Sequence, residues 1–351
     1  MLDYLIVGQG LAGSITSHKL RKLGKSIQVI SNSSLPSSSQ VAGGMFNPVT
    51  GKHLAKTWLA DIIFPYLLSY YAEVEQELSV RFLHQVPIFR PFANEKQQAQ
   101  FLKIMEENPA LAPYLSVIET PIEYTNQLKN KIGGLLTRQS GWVDVPCFLQ
   151  AWKADLEAND ALIDETFAYS DFNMTKEFVQ YKSWKAKRII FCEGFFAKDN
   201  PYFSWLPFNP VKGETLVAKV HGFPEEKMVN QGKWMIPLGN HLFRLGATYV
   251  WHELDWEPTA DGRTYLTTNI ERFLEADFQI IQQQAGVRPA TKDRRPIIGK
   301  HPEYENIFIV NGLGTKGVSL APWCIQEFID YLEHGKELNP EITIERHYSL
   351  Y

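Results

Sequence analysis

The sequence predicts an α/β protein in which a nucleotide-binding domain on a parallel sheet is interleaved with a second, α+β domain carrying a largely antiparallel sheet. Three observations carry this reading. An apolar strand runs straight into the glycine turn Gly8-x-Gly10-x-x-Gly13. A second glycine-rich loop, Gly312-x-Gly314-x-x-Gly317, opens a helix late in the chain. Between them, helical segments alternate with short runs of period-2 hydrophobicity.

The N-terminal unit reads as strand, turn, helix, strand. Leu5-Ile6-Val7 is the short apolar run that a buried parallel strand needs, and the glycines follow with no spacer. In a dinucleotide-binding unit of the Rossmann type the first glycine makes the turn. The second admits a pyrophosphate close to the backbone, and the third lets the helix lie against the strand. Ile15, Leu20 and Leu23 then recur at helical spacing, with Lys19, Arg21, Lys22 and Lys25 outside, until Gly24 stops the helix and Ile27–Ile30 completes β-α-β. The helix start at Gly10, Leu11 and Ala12 points free N–H groups and a positive dipole end at an anion. One expected element is missing. The acid that takes the ribose hydroxyls at the end of the second strand is replaced by Ser31-Asn32-Ser33-Ser34. Ser31 or Asn32 can make one of those bonds, but neither repels a 2'-phosphate.

Further along, the serine cluster at 31–39 leads through Ser39 into Ala42-Gly43-Gly44-Met45, small residues that let a second stretch of backbone approach a flat ligand. Residues 56–79 read as a long aromatic helix containing Pro65. Residues 82–92 read as strand, 94–108 as an amphipathic helix and 117–124 as strand, with turns at Gly133-Gly134 and Gly141. A helix opens at Asp144 or Val145 and runs to Ala158. Strands are expected at 162–168, 178–181 and 188–192, the last ending at Glu193-Gly194, where a core strand meets a ligand crevice. Alternation at 215–220, 234–237 and 242–248 predicts antiparallel strands, followed by a helix over 261–277. The domains expected are therefore 1–80 with 143–209 and 285–351, and, inserted between them, 81–142 with 210–284.

A chain of 351 residues, 44% hydrophobic and 21% charged, has the composition of a globular protein with a sizeable core. A net charge of -4 and the lack of a basic tract argue against a nucleic-acid partner. Cys147, Cys192 and Cys324 lie far apart in no metal or redox spacing, as free thiols in a reducing compartment do. The first strand leaves no room for a signal peptide and no apolar run is long enough for a membrane helix, so a cytoplasmic location and no membrane partner are expected.

Taken in order, eight blocks resemble the glycine oxidase and D-amino-acid oxidase family of flavoproteins. They are Gly8-x-Gly10-x-x-Gly13, Ser38-Ser39-x-x-Ala42-Gly43-Gly44, Gly141-Trp142-Val143-Asp144 and the strand ending at Gly194. Then come Pro210-Val211-Lys212-Gly213-Glu214, Leu245-Gly246-Ala247-Thr248, Gly286-Val287-Arg288-Pro289-Ala290-Thr291-x-Asp293, and Gly312-x-Gly314-x-x-Gly317. The resemblance implies noncovalent FAD, with its pyrophosphate on residues 8–13 and its isoalloxazine near 42–45. The pyrimidine end then lies against Gly314, Thr315, Lys316, Gly317 and Val318, and Phe167 also borders the cofactor. A helix start at Lys316-Gly317 and the Lys316 ammonium suit the negative charge of a reduced flavin. The two glycine-rich helix starts are expected to hold opposite ends of the cofactor.

In the family an arginine of the Gly-x-Arg-Pro block binds the substrate carboxylate, and the matching residue is Arg288. A guanidinium offers that group two parallel N–H bonds. Tyr249 and Arg244 are softer candidates for the same site, whereas Lys52, His53, Lys56 and the run 292–295 read as solvated faces. The reaction implied is hydride removal from a carbon bearing an amine onto flavin N5, giving an imine, with a small carboxylate-bearing amine as substrate. Oxidation of a 2-hydroxy acid or a polyol phosphate, a tRNA-modifying role, and nucleotide binding without turnover stand as alternatives.

Overall fold

The computed structural model describes residues 1–119, 124 and 126–351. Five parallel strands form the centre of one sheet, in the spatial order Leu162–Ile163, Ile27–Ile30, Leu2–Val7, Trp184–Phe191 and Ile307–Asn311. The antiparallel strands Phe172–Met174 and Val179–Tyr181 extend it from the N-terminal half of Trp184–Phe191, and Ile297–Lys300 runs antiparallel beside Ile307–Asn311. Strand residues such as Leu5, Ile6, Ile189, Ile190 and Ile309 are wholly buried, because helices and loops cover both faces. Helices Leu11–Lys22, Ala60–Leu78, Val145–Ala158 and Gly317–His334 bury their apolar stripes in one cluster with Ile6, Val29 and Val310. Helix Val145–Ala158 opens where expected, and the Asp144 carboxylate caps it, accepting from the N–H of Cys147 at 3.1 Å. The C-terminal ends of the parallel strands all open on the same side, where α/β sheets bind ligands.

The second sheet has eight strands, Phe278–Arg288, Val211–Val220, Leu242–Gly246, Trp234–Gly239, Met228–Asn230, Ile88–Pro91, Gly134–Thr137 and Leu115–Ile118 in spatial order, all pairs antiparallel except Met228–Asn230 with Ile88–Pro91. It thus draws on residues 88–137 and 211–288 together. Helix Ala260–Glu271 packs Leu266 and Ile270 against one face of this sheet, in a cluster with Leu216, Phe243 and Leu245.

Several expectations are corrected. Residues 82–92 are not one strand. Leu83–His84 joins Gly141–Val143 and Met45–Phe46 in a separate three-stranded sheet, whereas Ile88–Pro91 enters the large one, with Pro87 between them. The helix expected over 261–277 stops at Glu271, and Phe278–Arg288 is an eleven-residue strand that continues through 285, where the sequence had suggested a domain edge. Strand 162–168 shortens to Leu162–Ile163. Strand 117–124 is Leu115–Ile118, and residues 120–123 lie outside the described residues.

Candidate active site

A cavity of about 830 Å³ lies between the open end of the parallel sheet and one face of the second sheet. Its size is within the roughly 300–1,000 Å³ of ligand sites. Every site residue predicted from sequence lines it except Gly13 and the softer candidate Arg244.

The glycine turn shows why each Cβ is missing. Gly8 has φ +100°, and a Cβ there would stand 2.6 Å from the carbonyl oxygen of Cys192, just past the end of the neighbouring strand Trp184–Phe191. A Cβ on Gly13 would overlap the Gly8 carbonyl, so this glycine sits beneath the cavity and closes helix onto strand. Above Gly10 the space is open, bordered by the hydroxyls of Ser39 and Ser37 at 3.4 and 3.7 Å from a built Cβ. The Ser39 oxygen accepts from the Leu11 N–H and the Ser31 oxygen from the Gln9 N–H, both at 3.1 Å. Two serines predicted as ligand contacts therefore also hold the turn's shape. Asn32 is similarly engaged, donating to the Thr166 hydroxyl at 2.8 Å.

Beyond the neighbouring strand Leu162–Ile163, residues Glu165, Thr166 and Phe167 border the cavity beside Ser31 and Asn32. Here is an acid that sequence reasoning missed. Lys182 donates to both Glu165 oxygens at 2.7 and 2.8 Å and holds the carboxyl below its usual range.

At the other end of the cavity, Ala42, Gly43, Gly44 and Met45 form one wall. The Arg244 guanidinium donates to the Ala42 carbonyl at 2.7 Å, so Arg244 braces this loop and does not line the cavity. A Cβ on Gly43 would meet the Trp234 ring at 2.7 Å, which places that indole directly beneath the loop. Gly314 has φ +52°, and Lys316 reaches across to the Thr57 hydroxyl at 3.0 Å, its pKa lowered first by burial and then by Arg295 and Arg294. Helices Leu11–Lys22 and Gly317–His334 both begin with no side-chain cap and no acid in the first turn. Their starts abut rather than sit at opposite ends, since a Cβ on Gly317 would lie 3.3 Å from the Leu11 side chain. The first turns of both helices thus border one volume, the Leu11 N–H taken by Ser39.

Arg288 ends its strand opposite Val211, and its guanidinium lies over Gly213, where any Cβ would collide with it. It donates to the Thr248 carbonyl at 3.2 Å and stands 4.7 Å from the centre of the Tyr249 ring. Burial lowers its pKa. No carboxylate pairs with it among the described residues. Tyr249 itself is 49% exposed at the rim, supporting Arg288 with its ring.

Two further residues escaped the sequence reading. Arg90 lines the cavity and donates to the Gly51 carbonyl at 2.9 Å, its pKa pushed down to about 10 by burial. Glu193 accepts from the Tyr169 hydroxyl at 2.7 Å and from the Asn200 amide at 2.6 Å, and burial raises its pKa. Position alone distinguishes these residues from other charged ones, so no pattern in the chain could single them out. The three cysteines are free, with Cys192 and Cys324 buried. No group of His, Cys, Asp and Glu among the described residues could hold a metal ion, and no helix among them is long and apolar enough to cross a membrane.

A glycine cradle at the ends of parallel strands, roofed by a second sheet that presents an arginine to the same cavity, is the arrangement of a dinucleotide-binding enzyme. A family profile for FAD dependent oxidoreductases matches residues 3–330, and the chain belongs to that family, with FAD as its cofactor. Among individual relatives, it is 30% identical over 130 residues to glycine oxidase of Pseudomonas putida, covering 36% of each chain. It is 23% identical over 343 residues to the tRNA 5-methylaminomethyl-2-thiouridine biosynthesis bifunctional protein MnmC of Idiomarina loihiensis, covering 91% of this chain and 54% of that one. The chain thus spans about a third to about half the length of these curated relatives. Among solved structures, glycine oxidase from Bacillus cereus superimposes with a TM-score of 0.79 at 19% identity over 96% of both chains, a likeness of fold.

Proposed function

We propose that the protein oxidises a small amine bearing a carboxylate, an amino acid or a close derivative. Bound flavin would take the hydride from the carbon carrying the amine, which would become an imine. The observation that supports this is Arg288, a cavity-facing guanidinium with a carbonyl and an aromatic ring to orient it and no acid to neutralise it. Such a group lowers its free energy when a carboxylate arrives with two parallel acceptors.

The residues present fit FAD. Gly10 leaves room for phosphates where a side chain would fill the cradle, Gly8 and Gly13 let the turn close against backbone, and the first turn of Leu11–Lys22 presents N–H groups beside Ser39. Ser31, Ser39, Asn32 and Phe167 border the adenosine half, and we assign the ribose hydroxyls to Glu165, the acid just beyond the neighbouring strand. Ala42, Gly43, Gly44 and Met45 face Gly314, Thr315, Lys316, Gly317 and Val318 across the flavin end. Bound FAD supplies the hydride acceptor. Arg288 then fixes the carboxylate and with it the carbon to be oxidised, which is the orientation on which rate depends. Lys316 and the helix start beside it favour negative charge on the flavin ring. The substrate amine loses its proton to water, so no side chain has to act as a base, and no cysteine or histidine is assigned to a covalent flavin link.

Anaerobic mixing of the yellow protein with glycine, sarcosine, D-amino acids, L-proline and 2-hydroxy acids tests this. Bleaching of the flavin by one of the amines is expected. Bleaching by hydroxy acids alone, or by nothing in the panel, would overturn the reading.

A further inference from the structure

We propose that the substrate carries a second anionic group, a carboxylate or a phosphate, at the end remote from the oxidised carbon, and that Arg90 together with Lys52 receives it. The proposal rests on the reading of Arg288 as the anchor for the first carboxylate. Among the described residues, seven charged side chains line the cavity. The three acids, Glu165, Glu193 and Asp199, stand beyond the ends of the parallel strands, and each has its partner. Glu165 is paired with Lys182 and Asp199 with Lys198, while Glu193 takes bonds from Tyr169 and Asn200. The four cations, Lys52, Arg90, Arg288 and Lys316, have no ion-pair partner among the described residues. The proposed reaction uses Arg288 and Lys316. It gives Arg90 and Lys52 no work.

Arg90 is placed where a fold gains nothing from a charge. It lies in the strand Ile88–Pro91 with its guanidinium against the Phe101 ring, 5.4 Å from the centroid. One terminal nitrogen donates to the carbonyl of Gly51, which brings the neighbouring Lys52 to the same corner, and the other is buried with no partner. A buried donor without an acceptor destabilises, and more so when charged. An incoming anion supplies the missing acceptor.

The sheet sets the distance between the two anchors. The Arg288 guanidinium lies over Gly213, and from that strand to the one bearing Arg90 is four steps across the sheet, roughly 19 Å at about 4.8 Å each. The floor between them carries the Trp234 ring, packed under Gly43 and against Gly246. A molecule the size of glycine reaches Arg288 alone. One that engages both arginines is elongated, with an apolar or planar middle that crosses the indole.

N-alkylglycines of graded spacer length, ending in methyl, carboxylate, phosphate or trimethylammonium, test this on the FAD-loaded protein by anaerobic flavin reduction and by the spectral shift on binding. At the best spacer length, carboxylate or phosphate tails are expected to bind at least tenfold more tightly than methyl tails, and the two anionic tails between them identify which group is preferred. Arg90→Gln and, independently of any effect on the Gly51 carbonyl, Lys52→Gln should each shrink that advantage while leaving the methyl-ended series unchanged. Equal binding of methyl and anionic tails at every length, or an advantage that survives both substitutions, would overturn the proposal while leaving the amine-oxidase reading intact. Failure of every tail to bleach the flavin would instead overturn that reading, and the proposal with it.

Discussion

Replacing Arg288 with methionine separates its cost to the fold from its use to the site. The guanidinium is held by one carbonyl bond at 3.2 Å and by the face of Tyr249, and nothing of opposite charge offsets its removal from water. Removing one partner of a buried, hydrogen-bonded charge pair costs about 2–5 kcal/mol of binding. At about 1.4 kcal/mol per tenfold, kcat/KM for a carboxylate substrate should fall about 30-fold to about 4,000-fold. Arg288→Lys keeps the charge and loses the fork, so its loss should be smaller. The same Arg288→Met change removes a desolvated charge that the empty protein leaves unneutralised, so thermal stability without substrate should hold or rise. Stopped-flow flavin reduction and a melting curve on the same preparation read both effects. Unchanged reduction kinetics would remove Arg288 from the site. A fall in both stability and activity would make it a structural residue.

Other expectations follow from single contacts. Gly13→Ala puts a methyl into the Gly8 carbonyl and should lower stability by about 1–3 kcal/mol and release flavin during purification; a yellow protein with an unchanged melting point would refute the helix-on-strand account. Glu165→Gln should weaken FAD binding to the flavin-free protein about tenfold to a hundredfold, the worth of a hydrogen bond to a charged group at about 1.5–3 kcal/mol, while FMN, which lacks the adenosine half, should bind as before. Equal losses for both flavins would move the ribose site elsewhere. Glu193 is half-buried in the cavity wall and desolvation raises its pKa, so the folded protein holds a proton that the unfolded chain releases near pH 4.5. Its contribution to stability is present below that pH and is lost as the pH rises towards the folded-state value. Chemical denaturation of the flavin-free protein from pH 4 to 8 should show that decline, and Glu193→Gln should flatten it.

Much of this was legible in the chain, and what was not has physical reasons. Gly8, Gly10 and Gly13 could be read because backbone contact forbids a side chain at two of them and the third faces open space. The helix start at Asp144 or Val145 was readable because an acceptor for the first N–H groups stands just before an apolar run of helical spacing. Residues 82–92 misled because an apolar run says nothing about which sheet it joins, and Pro87 divides two memberships. The helix read through 277 stops at Glu271 because Phe273 and Leu274 turn into the core, where Leu274 bridges to Leu128. Glu165 and Arg90 were invisible for another reason. Each acts only through neighbours far away in sequence, Ser31 and Asn32 for the first and Gly51 for the second. The two helix starts were foreseen, but not that Gly317 would rest against Leu11, a contact between opposite ends of the chain.

The most direct measurement compares an amino acid that bleaches the flavin with its own carboxamide, at equal concentration and without oxygen. The two share the amine and the carbon to be oxidised and differ only in the charge that Arg288 is placed to hold. The acid should reduce the flavin at least 30-fold more efficiently, from the lower bound of about 2 kcal/mol. Equal reduction by the two would show that the cavity selects its substrate by some other contact.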